Sequence, residues 1–333
     1  MFLLNNITRL FYTFVKQSFI LPLFFVSFLL TAQQYDSVDS IVLQYSKNIR
    51  NTNALAKKID KDFSNDLEKV RALYIYLTNT VEYNIKEYKY GDDAYSFRYS
   101  SKEELEQKIR QRDLKIINKT LSSKKAICEG YSMTFKEVCT QLDIKCVVIS
   151  GYTRTNPSKI GQLPLDERHA WNAVYINSKW QFIDTTWGAG YSRDSNHWIQ
   201  YYDEHYFFTN PKELITTHHP EENNWQLLTP AITKKKFVSQ PLYSSLFFLK
   251  KIQLVSPKVG VLDPSKEFII LKFKNIDPTM ELGYAFGNDY YLTTVIPEFY
   301  NNIATLKIPI KENKNTTLNV LSGTEVILQF KIQ

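Results

Sequence analysis

Two alternating segments flanking Asn177-Ser178 constrain this chain more than any other stretch of it. His169 to Ile176 (HAWNAVYI) and Lys179 to Asp184 (KWQFID) read as strands, and the polar dipeptide between them reads as a two-residue turn. Such a turn pairs Ile176 with Lys179. Carried along the ladder, the same register sets Asp184 opposite Trp171, two residues from His169. Side chains two apart on a strand share a face, so His169 and Asp184 fall on one side as diagonal neighbours. Diagonal Cβ separations are about 7–8 Å or somewhat less, which an imidazole and a carboxylate can span. A turn one residue longer would put the two on opposite faces.

A second segment brings a sulfur into the argument. Cys128, Tyr131, Phe135, Val138 and Leu142 recur at spacings of three and four, which predicts a helix with Cys128 in its first turn. A thiol is a nucleophile only as the thiolate, and a helix N-terminus or a nearby imidazolium favours that form. Lys124 and Lys125, just upstream, add to the same effect. A carboxylate on one imidazole nitrogen would fix the tautomer and leave the other nitrogen for the thiol. Each residue has a plainer explanation on its own. A Cys on the apolar face of a helix is usually packing, a His at a strand start is usually structural, and Asp184 before Thr185-Thr186 can cap a turn. The three together are more specific, because order, spacing and local structure agree. A thiol, an imidazole and a carboxylate at Cys128, His169 and Asp184 are the three members a catalytic triad needs.

The remaining candidates read as bystanders. Cys139 and Cys146 lack such partners and are expected in the core. Three cysteines are too few for a disulfide framework, form no CxxC pair and have no zinc spacing with histidine. His197, His205, His218 and His219 are expected on the surface or in loops.

Arg9 and Lys16 accompany an apolar run from Ser18 to Leu30, and Thr31-Ala32 then precede polar sequence. This is the layout of a secretory signal spanning residues 1–32, with retention as an uncleaved anchor the alternative. Either way the rest of the chain is expected to be exported, to a periplasmic or extracellular location, with no further membrane span. No Cys near the cleavage point could carry a lipoprotein anchor. The net charge of +7 is scattered, with Lys234-Lys235-Lys236 its only tight run, and such a pattern argues against nucleic-acid binding.

Residues 36–63 read as polar helix and connection. Ser64-Asn65-Asp66 can cap a helix carrying Leu67, Val70, Leu73, Tyr74, Leu77 and Val81. Residues 84–99 read as a loop, Ser100-Ser101 open a charged helix to about Lys119, 145–153 as a buried strand and 154–168 as a loop. From Gly188 to Leu228 the chain is loop-rich, anchored by aromatics such as Trp198 and Tyr206. Beyond Pro230, segments 242–248, 252–255, 268–274, 291–296, 303–309 and 317–331 predict a small antiparallel sandwich of about one hundred residues. The fold class is therefore α+β, with a helix-on-sheet unit over 33–229 followed by an all-β unit over 230–333.

Cys128-Glu129-Gly130-Tyr131-Ser132, His169-Ala170-Trp171-Asn172-Ala173-Val174, Trp180 and Asp184-Thr185-Thr186-Trp187-Gly188 together resemble the transglutaminase-like core. The Trp-Asn-Ala-Val strand, the Asp-Thr-Thr-Trp-Gly-Ala-Gly run, Phe207 to Pro211 and Pro220 to Gln226 resemble bacterial relatives of the kyphoscoliosis peptidase subgroup. The similarity covers residues 60–228, about half of the chain. It implies a papain-like α+β core, with Cys128 as nucleophile, His169 as general base and acid, and Asp184 as the orienting carboxylate. Ala126-Ile127 stand where the family often has Gly-Val. No acidic calcium-binding loop is evident, so no cofactor or metal is expected. The activity implied is thioester chemistry on protein or peptide amides, resolved by water (peptidase or deamidase) or by an amine (transglutaminase type). The rival expectation is a catalytically silent binding or scaffold protein at the cell envelope. Neither reading fixes an oligomeric state.

Overall fold

The computed structural model describes residues 35–91, 96–192, 196–287, 289, 291–310 and 315–333. The expected signal segment, residues 1–32, lies outside the described residues. Among those described, no helix is long and apolar enough to cross a membrane.

After a short helix over residues 35–42 come α1 (Thr52–Asp62) and α2 (Asp66–Thr80). The expected cap of α2 forms: Asn65 Oδ1 accepts the Glu68 backbone N–H at 2.9 Å, satisfying one of the donors a helix start leaves free. Asp66 and Glu68 complement the positive end of the helix dipole. Every residue from Val70 to Thr78 is buried, so α2 runs through the core rather than along its surface.

Residues 84–99 are not wholly a loop. They include α3 (Ile85–Tyr90), which buries none of its residues, so no apolar period announces it. The charged helix, α4 (Lys102–Ser123), starts at its expected cap, Ser101, and runs four residues beyond Lys119. β1 (Glu82–Tyr83) then pairs in parallel with β2 (Lys125–Ala126), and α5 (Cys128–Gln141) follows directly. Tyr131, Phe135 and Val138 are fully buried on the expected stripe of α5. Burial of such side chains stabilises the fold by roughly 1.5–3 kcal/mol each.

α5 packs on β3 (Cys146–Thr153) and β4 (Arg168–Ile176), which with β5 (Lys179–Ile183) begin an antiparallel sheet. Ile176 pairs with Lys179, and Asn177 and Ser178 both have positive φ, at 52° and 61°. This is the backbone of the two-residue turn expected there. The hairpin β6 (Gly190–Ser192) and β7 (Trp198–Gln200) stands apart, whereas β8 (Phe207–Thr209) and β9 (His218–Pro220) extend the main sheet to the order β8-β5-β4-β3-β9. Val174, Ile176 and Ile183 join Tyr131, Phe135 and α2 in one core, while Ile149, Trp171, Ala173 and Phe182 form a smaller cluster with Leu214.

The C-terminal third is β-rich, as expected. One sheet joins β10 (Leu242–Tyr243), β12 (Val261–Leu262), β14 (Leu282–Phe286), β15 (Thr293–Val295), β18 (Thr316–Ser322) and β19 (Glu325–Ile332). The other has the order β11 (Gln253–Ser256), β13 (Phe268–Lys274), β17 (Ile303–Pro309), β16 (Glu298–Tyr300). Leu271, Phe273 and Leu306 from one sheet share a core with Leu318, Val320 and Phe330 from the other. Several details differ from the sequence reading, among them the short strands β12 and β16, which fall outside every expected segment. Segment 242–248 is mostly a helical turn, 317–331 is two strands around Gly323 (φ 59°), and β14 adds a strand between the expected ones.

Candidate functional site

Cys128 lies at the first position of α5, and its N-cap residue, Ile127, makes no side-chain capping bond. The first-turn N–H groups therefore keep their donors directed at whatever meets the thiol. Cys128 itself is partly accessible. Asn172 ties this helix to the sheet: its Nδ2 donates to the carbonyls of Ser132, at 3.0 Å, and Val147, at 3.1 Å.

The expected diagonal forms, with one refinement. The β4–β5 ladder ends at Asn172 and Ile183, so Asp184 has left the strand, and its N–H donates to the Tyr206 carbonyl at 3.0 Å. Asp184 instead caps α6 (Thr185–Ala189). Its Oδ1 accepts the backbone N–H groups of Thr186 and Trp187 at 2.8 and 3.0 Å. Its Oδ2 lies 2.6 Å from His169 Nε2. Capping and pairing are therefore performed by different oxygens of one carboxylate.

Burial would push the His169 imidazole towards neutrality. The Asp184 charge and hydrogen bond, joined by the influence of Cys128, outweigh that and push it up to about 10. Burial acts on Asp184 in the opposite sense to its partners, yet the charge and hydrogen bond of His169, with a further bond from His218, hold it well below the usual carboxylate range. With Nε2 spent on Asp184, Nδ1 is the nitrogen left to face the thiol. Such a pair holds His169 as an imidazolium, and a neighbouring imidazolium is what activates sulfur nucleophiles. The structure thus brings Cys128, His169 and Asp184 together. Cys139 is buried, Cys146 is half-buried, and both are free thiols.

The histidine expectations hold for His197 alone, which is exposed. His218 and His219 are each about 1% exposed, and the His205 ring is buried against Phe248 at 5.2 Å. For His218 and His219 the cause is β9, a three-residue strand on the edge of β3 that pairs His218 with Thr153 and Pro220 with Gly151. Gly151 permits the approach, because a Cβ there would lie 2.4 Å from the His219 carbonyl oxygen and 2.6 Å from the Trp171 ring. His218 Nε2 then stands 3.1 Å from Asp184 Oδ2. A strand of three residues, bounded by threonines and a proline, carries no period that sequence reasoning could detect.

Aromatic rings wall the site. Trp187 packs on His218 at 4.4 Å and on His169 at 5.9 Å. On the Cys128 side, Tyr83 stacks on Trp198 at 5.4 Å, and its hydroxyl is raised by burial and then by the charge of Cys128. His169, Asp184 and His218 offer donor atoms within 4.8 Å of one another, a set able to converge on a cation. The hydrogen bonds to Asp184 already use both Nε2 atoms.

Residues 53–185 match the profile of the transglutaminase-like superfamily. This stretch of the chain is similar to a transglutaminase-like domain. It is 29% identical over 212 residues to the kyphoscoliosis peptidase of Mus musculus, covering 63% of this chain and 29% of that protein. Identity to the Homo sapiens kyphoscoliosis peptidase is 27% over 253 residues, covering 75% and 35%. Hillarin of Drosophila melanogaster is 37% identical over 133 residues, covering 36% and 16%. The chain thus spans about a third or less of the length of these relatives. The transglutaminase-like match runs from α1 to Thr185, so it contains all three residues of the constellation.

Proposed function

We propose that this chain is an exported, cysteine-dependent acyl-transfer enzyme acting on protein or peptide amides, with Cys128, His169 and Asp184 as its catalytic triad. The observation that carries the reading is the 2.6 Å His169–Asp184 contact, with Cys128 among the groups acting on the same imidazole. In this mechanism the Cys128 thiolate attacks the amide carbon and a C–S bond forms. The oxyanion is met by N–H groups at the uncapped start of α5, Cys128 N–H foremost. His169 passes its Nδ1 proton to the leaving nitrogen, the C–N bond breaks, and an amine or ammonia departs. His169 then takes a proton from water, or from a second amine, as that nucleophile attacks the thioester; the C–S bond breaks, the acid or amide product leaves, and the Cys128 thiolate and His169 imidazolium are restored. Hydrolysis is the favoured outcome, since an exported enzyme meets mostly water. No metal or cofactor enters any step.

On this reading residues 1–32 are a signal, 33–229 the catalytic domain and 230–333 a sandwich domain, and the partners are protein or peptide substrates rather than nucleic acid. The deciding experiment is thioester trapping with an amide probe on the mature chain. Wild type is expected to label at Cys128 and Cys128→Ala to stay blank; an unlabelled wild type ends the proposal. Adding a primary amine to the same assay separates hydrolysis from transfer.

A further inference from the structure

The triad accounts for one of the two imidazoles on Asp184. The other, His218, has a fully buried side chain and is bonded at both nitrogens, with Nε2 3.1 Å from Asp184 Oδ2 and Nδ1 2.9 Å from Thr217 Oγ1. Its ring is held by Trp187 at 4.4 Å, Trp171 at 5.2 Å and His169 at 5.3 Å. The titratable groups facing it are Asp184, His169, His205 and Tyr206. An imidazole taken this far from water is costly unless its polar atoms are satisfied, and here the partner is the carboxylate that steers His169.

We propose that His218 is a positioning residue, a neutral Nε2–H donor that locks the Asp184 carboxylate so that it presents His169 Nδ1 to the Cys128 thiol. This rests on the triad reading given above. The proton inventory follows from the contacts. Ionised Asp184 can only accept, so the shared hydrogen sits on His218 Nε2. Nδ1 is then the acceptor, and the Thr217 hydroxyl, which also lies 3.3 Å from the Leu214 carbonyl, donates to it across the shorter 2.9 Å contact. Burial pushes His218 down to about 4, despite the opposing pull of Asp184, so this neutral tautomer persists at neutral pH. Asp184 thereby receives four donors, two backbone N–H groups on Oδ1 and two imidazoles on Oδ2. A carboxylate so surrounded has one orientation, and His169 inherits it.

The test compares His218→Phe, which keeps a ring and deletes the donor, with His218→Gln, which retains an N–H. Both are made in the mature chain. The readouts are kcat and KM on an amide probe and the pH dependence of Cys128 alkylation by iodoacetamide. His218→Phe is expected to lose about 10- to 100-fold in kcat, the scale of one hydrogen bond to a charged group, with KM within about twofold. Its alkylation profile should lose the acid limb at higher pH than wild type, because Asp184 without this donor protonates more readily. His218→Gln should recover most of both effects. A folded His218→Phe with wild-type kcat and acid limb overturns the proposal. If His218→Phe does not fold, Thr217→Val decides: it removes the Nδ1 partner, and unchanged kcat and acid limb there overturn the proposal equally. A wild type that alkylates with a pH-dependent profile but does not turn over the probe defeats the acyl-transfer reading while leaving His218 to be judged on alkylation. A wild-type thiol inert below its ordinary titration range defeats both.

Discussion

Asp184 is where chemistry and folding meet in a single side chain. Replacing it with Asn keeps the shape, the cap bonds of one oxygen and nearly the same volume, yet removes the charge that keeps His169 protonated. Asp184→Asn is expected to lower kcat by about 10³- to 10⁴-fold and, because it breaks a buried ion pair, to lower the thermal midpoint as well; a variant with a lowered midpoint but wild-type kcat would mean that the residue serves only the fold. The same groups set a stability profile. His169 sits above its unfolded value of 6.5, so its stabilisation is complete below that pH and is lost as pH rises towards 10. His218 and His205 sit below 6.5, at about 4, so the unfolded chain takes up protons first on acidification. Stability then falls between about pH 6.5 and 4, and depressed Asp184 adds to the loss at lower pH. Urea midpoints measured from pH 4 to 10 should peak near neutrality, with the alkaline arm flattened in Asp184→Asn. A midpoint that climbs steadily to pH 10 would contradict the ion pair.

Among the elements, the β4–β5 hairpin was the most legible, because its turn length alone decides which side chains share a face. That register held as far as Asn172 and Ile183, and the diagonal formed even though Asp184 had already turned into α6. α5 was equally legible, since Tyr131, Phe135 and Val138 carry a full helical period. β9 and α3 were not. The first is too short for alternation and owes its position to a pairing with β3 some 65 residues earlier in the chain, and the second buries nothing. Pairing across such separations is written in tertiary packing rather than in local pattern. The hairpin turn also offers a test of its own. Ser178 holds a left-handed conformation that glycine adopts without strain, so Ser178→Gly is expected to raise stability by about 0.5–1 kcal/mol in urea denaturation, with no change in probe turnover. A loss of stability would show that the Ser178 side chain contributes something the turn geometry does not require.

Across the whole molecule, the site and the C-terminal sandwich are joined by Arg154. This buried guanidinium stacks on Phe237 at 4.8 Å and donates to four carbonyls: Val238, Gln240, Pro241 and, on the far side, Thr216, two residues before His218. The Arg154 N–H adds a bond to the Thr217 carbonyl at 3.0 Å. Phe248 of the C-terminal region lies flat on His205, and Phe237 packs edge-on to His219. Arg154→Leu takes the guanidinium donors from the Thr216, Gln240 and Pro241 carbonyls, while Val238 keeps the Gly161 N–H, and is expected to cost on the order of 3 kcal/mol, read as a lower thermal midpoint. A chain ending at residue 229 should fare worse, since it also strips cover from β9. An undiminished midpoint for that truncation would show that the two regions stand independently.

Arg154 also limits how such a protein can be shuffled in evolution. An appended module can usually be traded for another when only a flexible tether is shared, but here a foreign module would have to bring its own trio of peptide oxygens to the same cation. Cleft and sandwich should therefore be inherited as a pair, and descendants that discard one should have rebuilt the edge of the other.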